Sequence, residues 1–320
     1  ATEVDLWGAR EVLGALPGLA RHYNSFNNNR SDFGYSWTLM LPRLEFERIE
    51  GDGRSKLLSI RGKPGSEVEV QRFVLTSPFG VGEERFADPV VDESVGAISF
   101  KPSSNSGRFR GIYPEGDGVY RLVWANKDQA LFDEQGRLRA LLWPAGKALY
   151  DYEQDSNRLA TIRLSRQGHP EERVSFEYDD RRRLTALKWR EQHVVYGYDA
   201  AGNLKDVVAG IRKTSYQYDG RRLLTEVQVD KQQVTRNSYD SMGRLIEQED
   251  GSGRRVRQEI TILGDGGAVL KYVSGPEWML ARLDKAYRLT HVEDSNGNLH
   301  KYSLTANGNR VLEAVRGPAS

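Results

Sequence analysis

An all-β fold, an antiparallel ribbon of β-hairpin repeats, is predicted by three observations. The first is a period. Phe132, Tyr152, Tyr178, Tyr198, Tyr218 and Tyr239 are separated by 20, 26, 20, 20 and 21 residues, and each stands directly before an acid that opens a turn, Asp in five copies and Glu153 in the sixth. The second is a set of aromatic pairs two residues apart, Phe176 with Tyr178, Tyr196 with Tyr198 and Tyr216 with Tyr218. Side chains at i and i+2 share one face of an extended strand, which is the alternation of a strand with one buried face. The third is interruption: Gly and turn residues break every window before about 10 residues pass, too short for a helical repeat to stabilise itself.

Each unit reads as two strands and two turns. After the aromatic marker, Asp133, Asp199 and Asp240 precede Gly136, Gly202 and Gly243 by three residues, the Asp-first, Gly-fourth pattern of a type I turn. Leu138, Leu184, Leu204, Leu224 and Leu245 then open the second strand, and Leu159 does so one position late. That strand ends in a second turn, such as WPAG from Trp143 or VDKQ from Val229. Two copies, with Asp179 and Asp219, carry Arg182 and Arg222 where the turn Gly belongs; if the turn needs positive φ there, each costs about 1 kcal/mol. Worn copies follow near Ile262, Leu283 and Leu304, for about nine units in all. The predicted division is a β-rich N-terminal segment over 1–117 and a repeat ribbon over 118–320.

At these residues the sequence resembles the Rhs (rearrangement hot spot) family of YD-repeat proteins, whose repeat is a Tyr-Asp pair followed by a Gly-Arg-Leu turn. FDEQGRL at Phe132 and YDSMGRL at Tyr239 carry the match. RHYNSFNNNRSDFGYSW, from Arg21 to Trp37, is similar to the Tyr-Asn-Ser and Gly-x-Gly-Trp segment that precedes the repeats in that family, with Ser36 in place of the second Gly. The resemblance implies a sheet ribbon wound into a partial shell around a toxic C-terminal domain, in bacterial polymorphic toxins that are secreted or reach the cell surface. It also implies a self-cleaving core with an Asp-Pro-x-Gly motif; Asp88-Pro89 is followed by Val90 and Val91 and does not match. The expected partner is therefore a polypeptide cargo or the remainder of a longer Rhs chain, and the chain, which begins without Met, reads as a piece of something longer.

Composition narrows the function classes. Lys and Arg number 46 against 45 Asp and Glu, a net charge of +1, so no overall pull toward nucleic acid is expected. The runs Arg181–Arg183 and Arg254, Arg255, Arg257 read as solvated turns and faces. There is no Cys, hence no disulfide framework and no thiolate metal site. No membrane span is expected, since no stretch approaches the roughly 18 apolar residues one needs, and Ala1–Leu19 lacks the pattern of a signal peptide.

Searches for chemistry return turns. His291, Glu293 and His300 fall at the two ends of a hairpin but lack a third firm ligand. DSNGN at Asp294 alternates like the start of a Ca²⁺ loop, yet its Gly comes at the fourth place and the closing Glu is missing, so a hairpin turn is expected. GDGRSK at Gly51, GSGRR at Gly251 and GDGG at Gly264 lack the spacing of a phosphate loop, and there is no Gly-x-Ser-x-Gly elbow. No cofactor, no metal and no enzymatic activity are expected.

Trp143 and Trp189 each stand eleven residues after a marker, in one column of the sheet roughly 19 Å apart. Exposed, such a column is a platform for sugar rings; buried, it fills the core, which the neighbouring Leu141 and Leu142 favour. Two functions follow: a non-catalytic shell or scaffold that encloses or presents another polypeptide, and a glycan or cell-surface binding module. The last edge, near Tyr302 to Val315, is expected to pair with a second copy, giving a homo-oligomer, or with further chain.

Overall fold

The computed structural model of the chain describes residues 2–4, 20–25, 29–39, 41–48, 57–58, 68–69, 71–77, 82–92, 96–103, 107–154, 156–285, 288–304 and 310–316. The described residues are all-β, without a helix, and 24 strands follow one another in antiparallel order in one sheet. Of the expected turns, GDGRSK lies outside the described residues, as do the side chains of Asp88 and of the segment following Tyr302.

The repeat grammar maps onto strand boundaries residue by residue. Strands Gln129–Phe132, Gly146–Tyr152, Glu172–Tyr178, Gln192–Tyr198, Arg212–Tyr218 and Gln232–Tyr239 all end on the marker, and the following strands begin on Leu138, Leu159, Leu184, Leu204, Leu224 and Leu245. The worn copies obey the same rule, since strands Arg255–Ile262, Glu277–Leu283 and Leu299–Leu304 end on the residues assigned to them. The register shifts by one residue at the marker in most hairpins, as between Glu177 and Tyr178 or Ser238 and Tyr239. Such a bulge after a type I turn is the expected closure of a three-residue hairpin whose last turn residue is left-handed.

That conformation is present in Gly136 (φ 72), Gly202 (φ 87) and Gly243 (φ 82), and also in Arg182 (φ 64) and Arg222 (φ 67). The turn does need positive φ, so the two arginines carry the strain that the sequence implied. The opposite turns are tighter. Asp230 (φ 50) and Lys231 (φ 70) between strands Leu224–Val229 and Gln232–Tyr239 are both left-handed, as a type I′ turn demands.

The chain forms two compact units, one of residues 1–22 and 38–194 and one of residues 23–37 and 195–320. In the first, the core holds a chain of edge-on and tilted aromatics. Phe73 meets Phe100 at 4.7 Å and Phe46 at 5.6 Å between ring centres, and Phe46 meets Tyr120 at 4.9 Å. There the first repeat turn is stitched to strand Arg43–Arg48: Leu44 N–H donates to Gly136 O at 3.0 Å. A Cβ on Gly136 would stand 1.7 Å from Leu44 O, so this Gly is required by close approach as well as by φ. In the second unit, residues 23–25 and 29–37 lie on the repeat strands that begin at 195, and form the centre of the functional site.

Candidate functional site: a repeat face that holds a polypeptide segment

The marker acid caps its own turn. In Asp133, Asp179, Asp240 and Asp294, one carboxylate oxygen accepts the backbone N–H groups two and four residues on, as from Arg181 at 3.0 Å and Arg183 at 2.9 Å to Asp179 Oδ1. The second oxygen takes the side chain four residues on: Arg137 at 2.8 Å, Arg183 at 2.8 Å, Arg244 at 2.6 Å, and the Asn203 and Asn298 amides at 2.8 Å each. Leu223 occupies that place after Asp219, and Arg221 replaces the missing donor at 3.1 Å. The Arg of Gly-Arg-Leu is therefore the carboxylate's partner. Burial alone raises the Asp179 pKa, but the donors from Arg183 and Arg181 outweigh it and hold the carboxyl below its ordinary value. The N–H and guanidinium of Arg244 do the same to Asp240. At Asp294 the result is the expected hairpin turn, with Gly297 at φ 80.

The marker hydroxyl ties neighbouring units together. Tyr152, Tyr178, Tyr218 and Tyr239 donate to the carbonyls of Leu138, Leu159, Leu204 and Leu224, the Leu that opens the preceding unit's second strand, at 3.0, 2.8, 2.7 and 2.9 Å. Phe132 opens the series and has no such Leu before it. The turn Arg then covers the next marker: the Arg137 guanidinium lies 4.9 Å from the Tyr152 ring centre and Arg158 5.2 Å from Tyr178. Burial, joined by the Asp133 charge, pushes Tyr152 up to about 12. In the copy at Tyr152, Glu153 stands in for the Asp and binds Arg158 at 2.6 Å; its longer side chain spans a turn one residue wider, which is why Leu159 comes late.

The second unit shows what this face can hold. Trp37, wholly buried, sets its ring 5.2 Å from Tyr216 and donates Nε1–H to Tyr218 Oη at 2.9 Å. Phe33, also wholly buried, meets Tyr196 at 5.3 Å. Tyr23 Oη accepts Leu224 N–H at 2.9 Å, Tyr198 donates to Asp32 O at 3.2 Å, and the Arg222 guanidinium sits 3.8 Å over Tyr35. A Cβ on Gly34 would be 2.2 Å from Gly202 O, so backbone meets backbone there. Ser36, where the resembled segment has Gly, is left-handed at φ 65. The segment's aromatics thus insert among the aromatic pairs of the repeat strands, Trp37 and Phe33 meeting Tyr216 and Tyr196, which stand two residues before the markers.

The two candidate platform residues stand in different surroundings. Trp189 is 4% exposed, donates Nε1–H to Glu172 at 2.9 Å and carries the Arg190 guanidinium 4.9 Å from its ring centre. Trp143 is half-buried and lines a cleft with Trp124. Sequence reading passed over Trp124, although its distance of 19 residues before Trp143 is close to one period. It read Arg137 and Arg244 only as letters of the Gly-Arg-Leu turn and Arg183 as part of a solvated run, and missed their pairing with the turn acid, which an acid followed four residues later by Arg would have revealed.

Among the described residues no group of three or more His, Asp or Glu could hold a metal ion, and no helix is long and apolar enough to cross a membrane. Arg255 and Arg257 pair with Glu249 and Glu247 at 2.8 and 2.6 Å on one sheet face, so this arginine run is neutralised in place.

No protein-family profile and no curated protein matches the chain. Among solved structures, it is similar to one described as TcdB2-TccC3 without its hypervariable C-terminal region, at 12% identity and a TM-score of 0.36, covering 77% of this chain and 14% of that one. It is also similar to a Photorhabdus luminescens Tc holotoxin pore with a TccC3 mutation, at 11% identity and a TM-score of 0.29, covering 80% of this chain and 16% of that one. A third is the TcdB2-TccC3-Cdc42 structure, at 10% identity and a TM-score of 0.25, covering 80% of this chain and 20% of that one. The chain thus spans a fifth or less of the length of these structural neighbours.

Proposed function

We propose that the chain is a non-catalytic shell or scaffold segment of an Rhs-type bacterial toxin or surface protein, exported or displayed, whose repeat sheet encloses or presents another polypeptide. The observation that carries the reading is the seating of residues 23–25 and 29–37 on the paired aromatics of the repeat strands. The sheet face there binds an extended peptide through rings, hydroxyls and backbone approach, which is what a wall built to hold polypeptide requires. Asp179 and Asp240, whose carboxyls are held below their ordinary value, are spent on turn caps, as suits a structural array.

The test is limited proteolysis of the parent polypeptide that contains this segment, followed by mass spectrometry. A held polypeptide stays uncut while the sheet is folded and becomes sensitive when the sheet is unfolded by denaturant. Cleavage of the remaining chain at the rate of its isolated form, with the sheet intact, would remove the shell reading.

A further inference from the structure

In the first unit, Trp124 and Trp143 line a cleft of about 280 Å³ with Leu141, Leu142, Asp128 and Gln129. That volume is just below the lower end of about 300 Å³ for small-molecule sites. Its walls are fixed. Trp143 is seated on the hairpin turn, where a Cβ on Gly146 would come within 2.9 Å of its Cζ2. Trp124 opens a closed turn in which its N–H donates to Asp128 O at 2.9 Å and Lys127 N–H to Trp124 O at 3.0 Å. Asn126 Nδ2 donates to Asp128 Oδ2 at 2.7 Å and orients that carboxylate.

The indole N–H groups separate this cleft from the core. The fold satisfies those of Trp37 and Trp189, through Tyr218 and Glu172. Those of Trp124 and Trp143 have no partner among the described residues, and neither does the Gln129 amide. The cleft is thus lined by two indole rings and two leucines beside an amide and an oriented carboxylate, with indole donors that the fold leaves available. An apolar side chain would cover the rings while stripping water from the polar groups without replacing its hydrogen bonds, a net cost. A pyranose ring offers a C–H face to an indole and hydroxyls to the polar groups, and so meets both demands.

The geometry points to a carbohydrate-binding cleft at Trp124 and Trp143, taking one or two pyranose units of a neutral glycan. It is a surface function beyond the holding of a polypeptide and stands whether or not that reading does.

The experiment uses the full chain and follows tryptophan fluorescence and saturation-transfer NMR. The probes are methyl glycosides of glucose, galactose, mannose and N-acetylglucosamine, with cellobiose, chitobiose and N-acetyltryptophanamide. At least one saccharide is expected to bind saturably at millimolar concentration or below. Trp124→Ala and Trp143→Ala weaken it about tenfold or more, the worth of one lost contact of 1.4 kcal/mol, whereas Trp189→Phe leaves it unchanged. Should either Ala variant fail to fold, Trp143→Phe, which keeps an aromatic ring but removes the indole N–H, and Asp128→Asn, which keeps the shape but removes the carboxylate charge, still lower affinity severalfold. Absence of saccharide binding, binding that survives these changes, or binding of N-acetyltryptophanamide alone overturns the assignment.

Discussion

The turn acid explains why a pair of letters recurs. Asp179 uses one oxygen for two backbone donors and the other for Arg183, so it closes the turn that Tyr178 ends. Its folded pKa is lowered, which means the stabilisation is present above the unfolded value of 3.8 and is lost as pH falls through the lower folded value; Asp240 behaves alike. Stability should therefore decline below about pH 4, and Asp240→Asn should flatten that limb in chemical denaturation at pH 2 to 6. Tyr152 gives the opposite limb. Burial raises its pKa to about 12, so its contribution is complete below the unfolded value of 10.0 and disappears as pH rises through the folded one. Arg182, at φ 64, should accept Gly with a gain of up to about 1 kcal/mol in urea unfolding. Gly136→Ala should lose several times more than that strain, because Leu44 O occupies the space its Cβ needs.

For the strands, the marker hydroxyl is the coupling device. Tyr178→Phe keeps the ring and removes the bond to Leu159 O, so about 1 kcal/mol should be lost at an unchanged m-value. A loss within error would mean that the bond is a by-product of ring packing. The strand boundaries were legible in the sequence because period-two aromatics, Asp-to-Gly spacing and the opening Leu each act within a few residues of chain. The side-chain ladder was less so. That Arg137 stacks on Tyr152, or that Tyr178 reaches Leu159, depends on two-residue and three-residue turns setting a register that letters alone do not state. Glu153 shows the tolerance of the scheme, since a longer acid works with a longer turn.

In the assembled chain, the contact of residues 23–25 and 29–37 with the repeats joins positions about 180 residues apart, such as Trp37 and Tyr218. No local pattern encodes such a pairing; the sole hint was the Gly-x-Ser-Trp segment, whose Gly34 and Ser36 take the left-handed backbone. The cleft at Trp124 and Trp143 was half legible, because Trp143 was singled out by its column while its true neighbour belongs to the preceding unit. The central claim is that the repeat face is a seat for extended polypeptide, and hydrogen–deuterium exchange on Trp37→Ala tests it within the intact chain. Removing a wholly buried Trp costs about 3–5 kcal/mol where its cavity cannot collapse. The account predicts faster exchange in strands Arg212–Tyr218 and Leu224–Val229 and in residues 29–37, while strands Leu138–Trp143 and Gly146–Tyr152 keep their protection. Unchanged exchange in Arg212–Tyr218, or equal loss of protection in every strand, would contradict it.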